Sequence, residues 1–118
     1  MEKLTTEQVA EKAAELKEKY NSDITPIVLT DKKTNEQVIG YLKEIEDYNV
    51  LMFAIGKMTA LNSNIAEAAE IILPACLIKE ESSPRILSEK KEDIFIKASA
   101  VLACIPLMTT YVNEYKKK

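Results

Sequence analysis

The run IFIKASAVLACIPLMTTYVNEY, residues 94–115, decides how this chain is read, because its apolar positions recur at four-three spacing. Ile94, Ala98, Val101, Ile105, Met108, Val112 and Tyr115 form one seam of a long helix, and Phe95 and Leu102 widen it. Pro106 stands inside the stripe. It removes one backbone hydrogen bond and its ring meets the carbonyl of Leu102, so a bend is expected there. An element this long devoted to packing suits a protein that holds something rather than reacts with it.

Upstream of this helix, residues 79–84 read as a loop, and Ser88 with Glu89, Glu92 and Asp93 opens the closing helix. Asn62-Ser63-Asn64 marks a break, and Asn64 with Glu67 has the spacing of a capping box for a shorter helix carrying Ile65, Ala68, Ala69, Ile72 and Leu73. Pro74 should end or kink that helix. Tyr48, Leu51, Met52, Ile55 and Met58 form the stripe of another, with Glu44, Glu46 and Asp47 at the end its dipole favours.

The period changes between Ile24 and Leu42. Ile24, Ile27, Val28 and Leu29, then Val38, Ile39 and Tyr41, flank the polar stretch Asp31-Lys32-Lys33-Thr34-Asn35, which predicts a β-hairpin. Pro26 places the start of the first strand after itself or the strand at an edge, and Gly40 suggests a bulge or a close approach. Two strands are marginal alone, so the hairpin must pack on a helix or find a third strand in another chain. At the N-terminal end, Thr5 and Gln8 form a capping box, Leu4 and Val9 a hydrophobic staple, and Val9, Ala13, Leu16 and Tyr20 one face of a helix over residues 6–20. The expected architecture is α+β and mostly α: an N-terminal helix, a β-hairpin, then two or three helices, the last long and kinked at Pro106. At 118 residues the chain suits a single domain over 1–118.

The available chemistry is sparse. With no histidine, Ser-His-Asp and Cys-His arrangements are excluded. Two glycines, Gly40 and Gly56, cannot build a phosphate cradle. Cys76 and Cys104 lie among apolar residues and read as buried free thiols of a reducing compartment, so a cytoplasmic location is expected. Sixteen basic residues against nineteen acidic ones, a net charge of −3, argue against a backbone-reading nucleic-acid binder. Lys116, Lys117 and Lys118 complement a helix C-terminus. The Glu80-Glu81 pair reads as solvated turn residues. The opening segment lacks a signal peptide's apolar core, and no segment approaches the roughly 18 unbroken apolar residues of a membrane span.

Four stretches carry a resemblance: Leu4-Thr5-Thr6-Glu7-Gln8-Val9, Gly40-Tyr41-Leu42-Lys43, Glu70-Ile71-Ile72-Leu73-Pro74-Ala75-Cys76-Leu77-Ile78, and Ile94-Phe95 with Ala98-Ser99-Ala100. In these, and in the order of elements, the chain resembles small tail-assembly-chaperone-like proteins of phages and prophages of gut bacteria. It carries Glu44-Ile45-Glu46 where those proteins usually have Pro-Ser-Arg or Pro-Asp-Arg, and Leu77 where they have Trp.

The resemblance implies a non-enzymatic protein, without metal or cofactor, that shields another phage protein, such as a tape-measure protein, in the host cytoplasm during assembly. A second expected class, motivated by the hairpin's edges and the widened C-terminal seam, is a structural virion component or self-assembling subunit. Neither nucleic acid, nor membrane, nor a small-molecule substrate is expected as a partner. The expected partner-binding residues are Phe95, Leu102, Ile105, Met108, Val112 and Tyr115, with the part of the seam before Pro106 used internally and the face from Leu107 to Tyr115 left for the partner.

Overall fold

The computed structural model describes residues 3–59 and 64–116. Helix α1 spans Thr6–Tyr20 and opens on a complete capping box: Thr5 Oγ1 accepts the Gln8 N–H at 3.1 Å and Gln8 Oε1 accepts the Thr5 N–H at 2.8 Å. It ends where Asn21 turns left-handed at φ 51°. Val9 and Leu16 are buried, as the amphipathic pattern requires.

Strands β1 (Ile24–Thr30) and β2 (Gln37–Lys43) pair antiparallel, from Ile24 opposite Lys43 to Thr30 opposite Gln37. Asp31 Oδ1 accepts the N–H groups of Lys33 and Thr34, and Asn35 takes φ 61°, which closes the turn. Pro26 lies inside β1, at an edge, so the second of its two expected placements holds. Gly40 is a close approach: a Cβ there would run into Ile86 Cδ1 and stand 3.1 Å from Leu77 Cδ1.

The hairpin separates two apolar clusters, a consequence of strand alternation. Tyr41 turns to one face and packs with Val9, Leu16 and Ile78, flanked by Ala13, Tyr20, Ile24 and Ile39. Ile27, Val38 and Leu42 turn to the other face and join the main core. The outer edge of β2 is covered by the chain from Leu77 to Ser83. Ile78 N–H donates to the Tyr41 carbonyl at 2.9 Å, Ser83 N–H donates to the Ile39 carbonyl at 2.8 Å, and Ser82 Oγ accepts the Tyr41 N–H at 3.0 Å.

Helix α2 (Tyr48–Thr59) begins where Asp47 Oδ1 accepts the Val50 N–H at 3.2 Å. Ala54 and Ile55 form its buried face with Leu51, Met52 and Met58 beside them, whereas Tyr48, expected on that stripe, is exposed. Helix α3 (Ile65–Cys76) is capped by Asn64, whose Oδ1 accepts the Glu67 N–H at 3.0 Å. Pro74 neither ends it nor stops its last turn: the helix runs on to Cys76, and Leu77 N–H still reaches the Leu73 carbonyl at 3.0 Å. Residues 79–93 hold three short 3-10 turns, Lys79–Glu81, Pro84–Leu87 and Lys91–Asp93, where an open loop was expected over 79–84.

The closing helix is bent, as expected, but the break falls at Cys104, between α4 (Ile94–Ala103) and α5 (Ile105–Lys116). Pro106 cannot donate to Leu102. The chain therefore closes α4 early with the Cys104 N–H, 3.0 Å from the Val101 carbonyl, and Pro106 occupies the first turn of α5, where its missing N–H has no intrahelical role.

The continuous seam is corrected by the packing. Ile96, Ala100 and Cys104 face the core, while Ile94 and Ala98 face out. Small residues decide this: Ala100 and Cys104 let α4 approach α3, whose own buried face is Ala68, Ala69, Ile72, Leu73 and Cys76. Beyond the bend the buried row continues through Met108 and Val112.

Candidate functional site

The solvent face of α4 carries Ile94, Phe95 and Leu102, which are 55%, 79% and 60% exposed, around the exposed Ala98. Three large apolar side chains left open on one ten-residue helix form a patch of the kind that marks an interaction surface. Alongside runs a shallow groove between α3 and α4, lined by Ala66, Glu67 and Glu70 on one wall and Lys97, Val101 and Leu102 on the other. Glu67 is paired with Lys57 at 3.2 Å.

The six residues expected at a partner surface separate into different environments. Phe95 and Leu102 lie on the open face. Ile105 is half-buried against the core, and Met108 and Val112 are buried within it. The Tyr115 side chain lies outside the described residues. The expected division of the helix is therefore reversed: Met108, Val112, Leu107 and Tyr111 pack internally, and the open apolar face lies before Pro106. Among the described residues, the run Lys91–Glu114 is the one helix long and apolar enough to cross a membrane by length and composition, with mean hydropathy 1.6. A core helix passes the same test; 22% of that apolar window is buried here, and Val101, Ala103, Ile105, Leu107 and Tyr111 pack half-buried against the core.

The principal ionic cluster lies beside the N-terminus of α4. Arg85, the single arginine, bonds Asp31 at 2.6 Å and Asp93 at 2.7 Å, with Glu36 at 3.7 Å. The Arg85 hydrogen bond, with the turn amides of Lys33 and Thr34, holds Asp31 down to about 2; the two carboxylates in turn raise Arg85 further. Asp93 is lowered by Ser88 and Arg85. Arg85, Asp31 and Asp93 are committed to one another, and the cluster joins the hairpin turn to the start of α4.

Glu80 and Glu81 are also engaged, contrary to their expected role as solvated turn residues. Tyr20 donates its hydroxyl to Glu80 at 2.7 Å, and Glu81 pairs with Lys12 at 3.0 Å and Lys19 at 3.2 Å. These bonds lower both carboxylates and raise Tyr20 to about 12. They tie α1 to the 3-10 turn below it. Of the carboxylates expected before α2, Asp47 caps the helix, Glu44 accepts the Asp23 N–H at 3.2 Å, and Glu46 faces Lys43 at 3.7 Å.

Cys76 and Cys104 are buried free thiols. Burial pushes them up to about 11 and about 12, so neither presents a thiolate nucleophile. Among the described residues no group of histidine, cysteine, aspartate or glutamate is placed to hold a metal ion. Compared with family models, curated proteins and solved structures, the chain has no match.

Proposed function

We propose that this chain is a non-catalytic, tail-assembly-chaperone-like phage protein that holds another phage protein on the outer face of α4. The observation that carries this reading is the exposure of Ile94, Phe95 and Leu102 together on one helix whose opposite face is anchored in the core. Burying such residues is worth roughly 1.5–3 kcal/mol each before association entropy is subtracted, enough for a reversible grip on an apolar helix or extended segment of a client. The sequence resemblance supplies the phage context, and the commitment of the ionic groups to structural pairs supports a binding role over a reactive one.

Co-purification from phage-infected cells tests the proposal. A phage protein is expected to be retained in stoichiometric amount by the wild-type chain. Recovery of metabolic enzymes without any phage protein contradicts it.

A further inference from the structure

The two edges of the hairpin are treated differently. Ile39 and Tyr41 direct their backbone groups away from β1, into the bonds with Ile78, Ser82 and Ser83. Their partners across the ladder, Val28 and Pro26, stand at the same non-hydrogen-bonded positions and therefore direct their own backbone groups outward on the opposite edge. Among the described residues no hydrogen bond covers Val28 there, and its side chain is 49% exposed. The strand Ile24–Thr30 carries no charge along its seven residues, so of the devices that block edge pairing it holds Pro26 alone, which removes one donor.

We infer that this edge pairs with the same edge of a second copy, antiparallel about a two-fold axis at Val28, to make a four-stranded sheet. A row of backbone donors and acceptors at strand spacing is complementary only to another strand. In this register Val28 faces its own copy as a hydrogen-bonded pair and Pro26 faces Thr30 of the copy. The missing proline N–H then costs one bond on each side while the central pair stays whole. No like charges oppose one another, since Ile24 meets Lys32 of the copy and Asp23 meets its Lys33.

The copy's Val28 and Thr30 lie on the α1 side of the sheet, beside the recess lined by Leu4, Val9, Ala10, Pro26 and Val28, which suits two β-branched side chains. Because Leu77 to Ser83 cover the β2 edge, the sheet has one free edge among the described residues, and the pairing closes as a dimer instead of growing into a fibre. A two-fold perpendicular to a sheet keeps its faces, and α4 packs under β1, so both α4 helices fall on one face of the dimer. That last consequence, a paired surface for one client, rests on the function proposed above; the dimer itself does not.

Mass in solution tests the pairing, using the full-length chain and its Val28→Lys and Val28→Glu variants. Wild type is expected at twice the chain mass. Each variant alone is expected as a folded monomer, checked by unchanged circular dichroism, because each sets like charges face to face at the axis. An equimolar mixture of the two variants is expected to regain the dimer, since opposite charges then meet. A monomeric wild type, a dimer unaffected by either substitution, or a mixture that stays monomeric overturns the inference. Client retention is read separately with α4 variants, so loss of the dimer and loss of the client are distinguishable.

Discussion

The Arg85 guanidinium, 2.6 Å from the Asp31 carboxylate, joins residues 54 positions apart and fastens the hairpin turn to the segment that leads into α4. With Asp93 bonded to the same side chain, one arginine sets the position of the helix that carries the open apolar face. Arg85 is a planar fork serving two carboxylates, a geometry that a lysine ammonium cannot reproduce.

Arg85→Ala is therefore expected to lower the thermal midpoint by on the order of 10 °C, and Arg85→Lys by somewhat less. The carboxylates predict the pH dependence. Asp31, Asp93, Glu80 and Glu81 are lowered in the folded chain, so their stabilisation is complete above their ordinary range near pH 4 and is lost as pH falls through their lowered folded values, about 2 for Asp31. Thermal melts between pH 7 and 2 should show the midpoint falling across that window, with a shallower fall in Asp31→Asn. A flat profile contradicts the assignment.

The thiols predict the opposite limb. Cys76 and Cys104 are raised to about 11 and about 12 by burial, so their contribution is intact below their ordinary value of 9.0 and is lost as pH rises through the folded values. At pH 8 both are expected to resist a thiol-specific reagent in the native chain and to react together on unfolding in denaturant. Rapid native labelling of either one contradicts their placement in the core.

The two glycines should respond in opposite directions to alanine. At Gly40 a Cβ meets Ile86 and Leu77, and overpacking of this kind costs about 1–3 kcal/mol. At Gly56, exposed within α2, nothing lies within 4 Å, and removing a helical glycine gains roughly 1 kcal/mol. Urea unfolding of Gly40→Ala and Gly56→Ala measures both.

Met108 and Leu102 belong to one apolar pattern in the sequence but to different environments in the fold. Met108→Ala is expected to cost about 2–5 kcal/mol, as a fully buried truncation. Leu102→Ala should stay within about 0.5 kcal/mol, as a surface change. Equal effects in chemical denaturation contradict the split.

That split marks where sequence reasoning stopped. Local signals were legible: Thr5 and Gln8 announced α1, the run from Asp31 to Asn35 announced the hairpin turn, and Pro106 announced a bend, because each acts through bonds a few residues away. Which face of α4 is buried was not legible. Phe95 and Leu102 carry more hydrophobic surface than Ala100 and Cys104, yet close packing against the alanines of α3 selects the smaller pair. The roles of Arg85 and Glu81 were equally hidden, since their partners arrive from Asp31, Lys12 and Lys19 only after the hairpin and α1 have folded together.

The central claim, that the outer face of α4 holds a phage protein, is tested most directly by quantitative co-purification of wild type and Phe95→Glu from phage-infected cells. Phe95 is 79% exposed, so the substitution should leave the thermal midpoint nearly unchanged. The account predicts a phage protein retained in stoichiometric amount by wild type and lost from Phe95→Glu. Equal retention by both, or no phage protein with either, contradicts it.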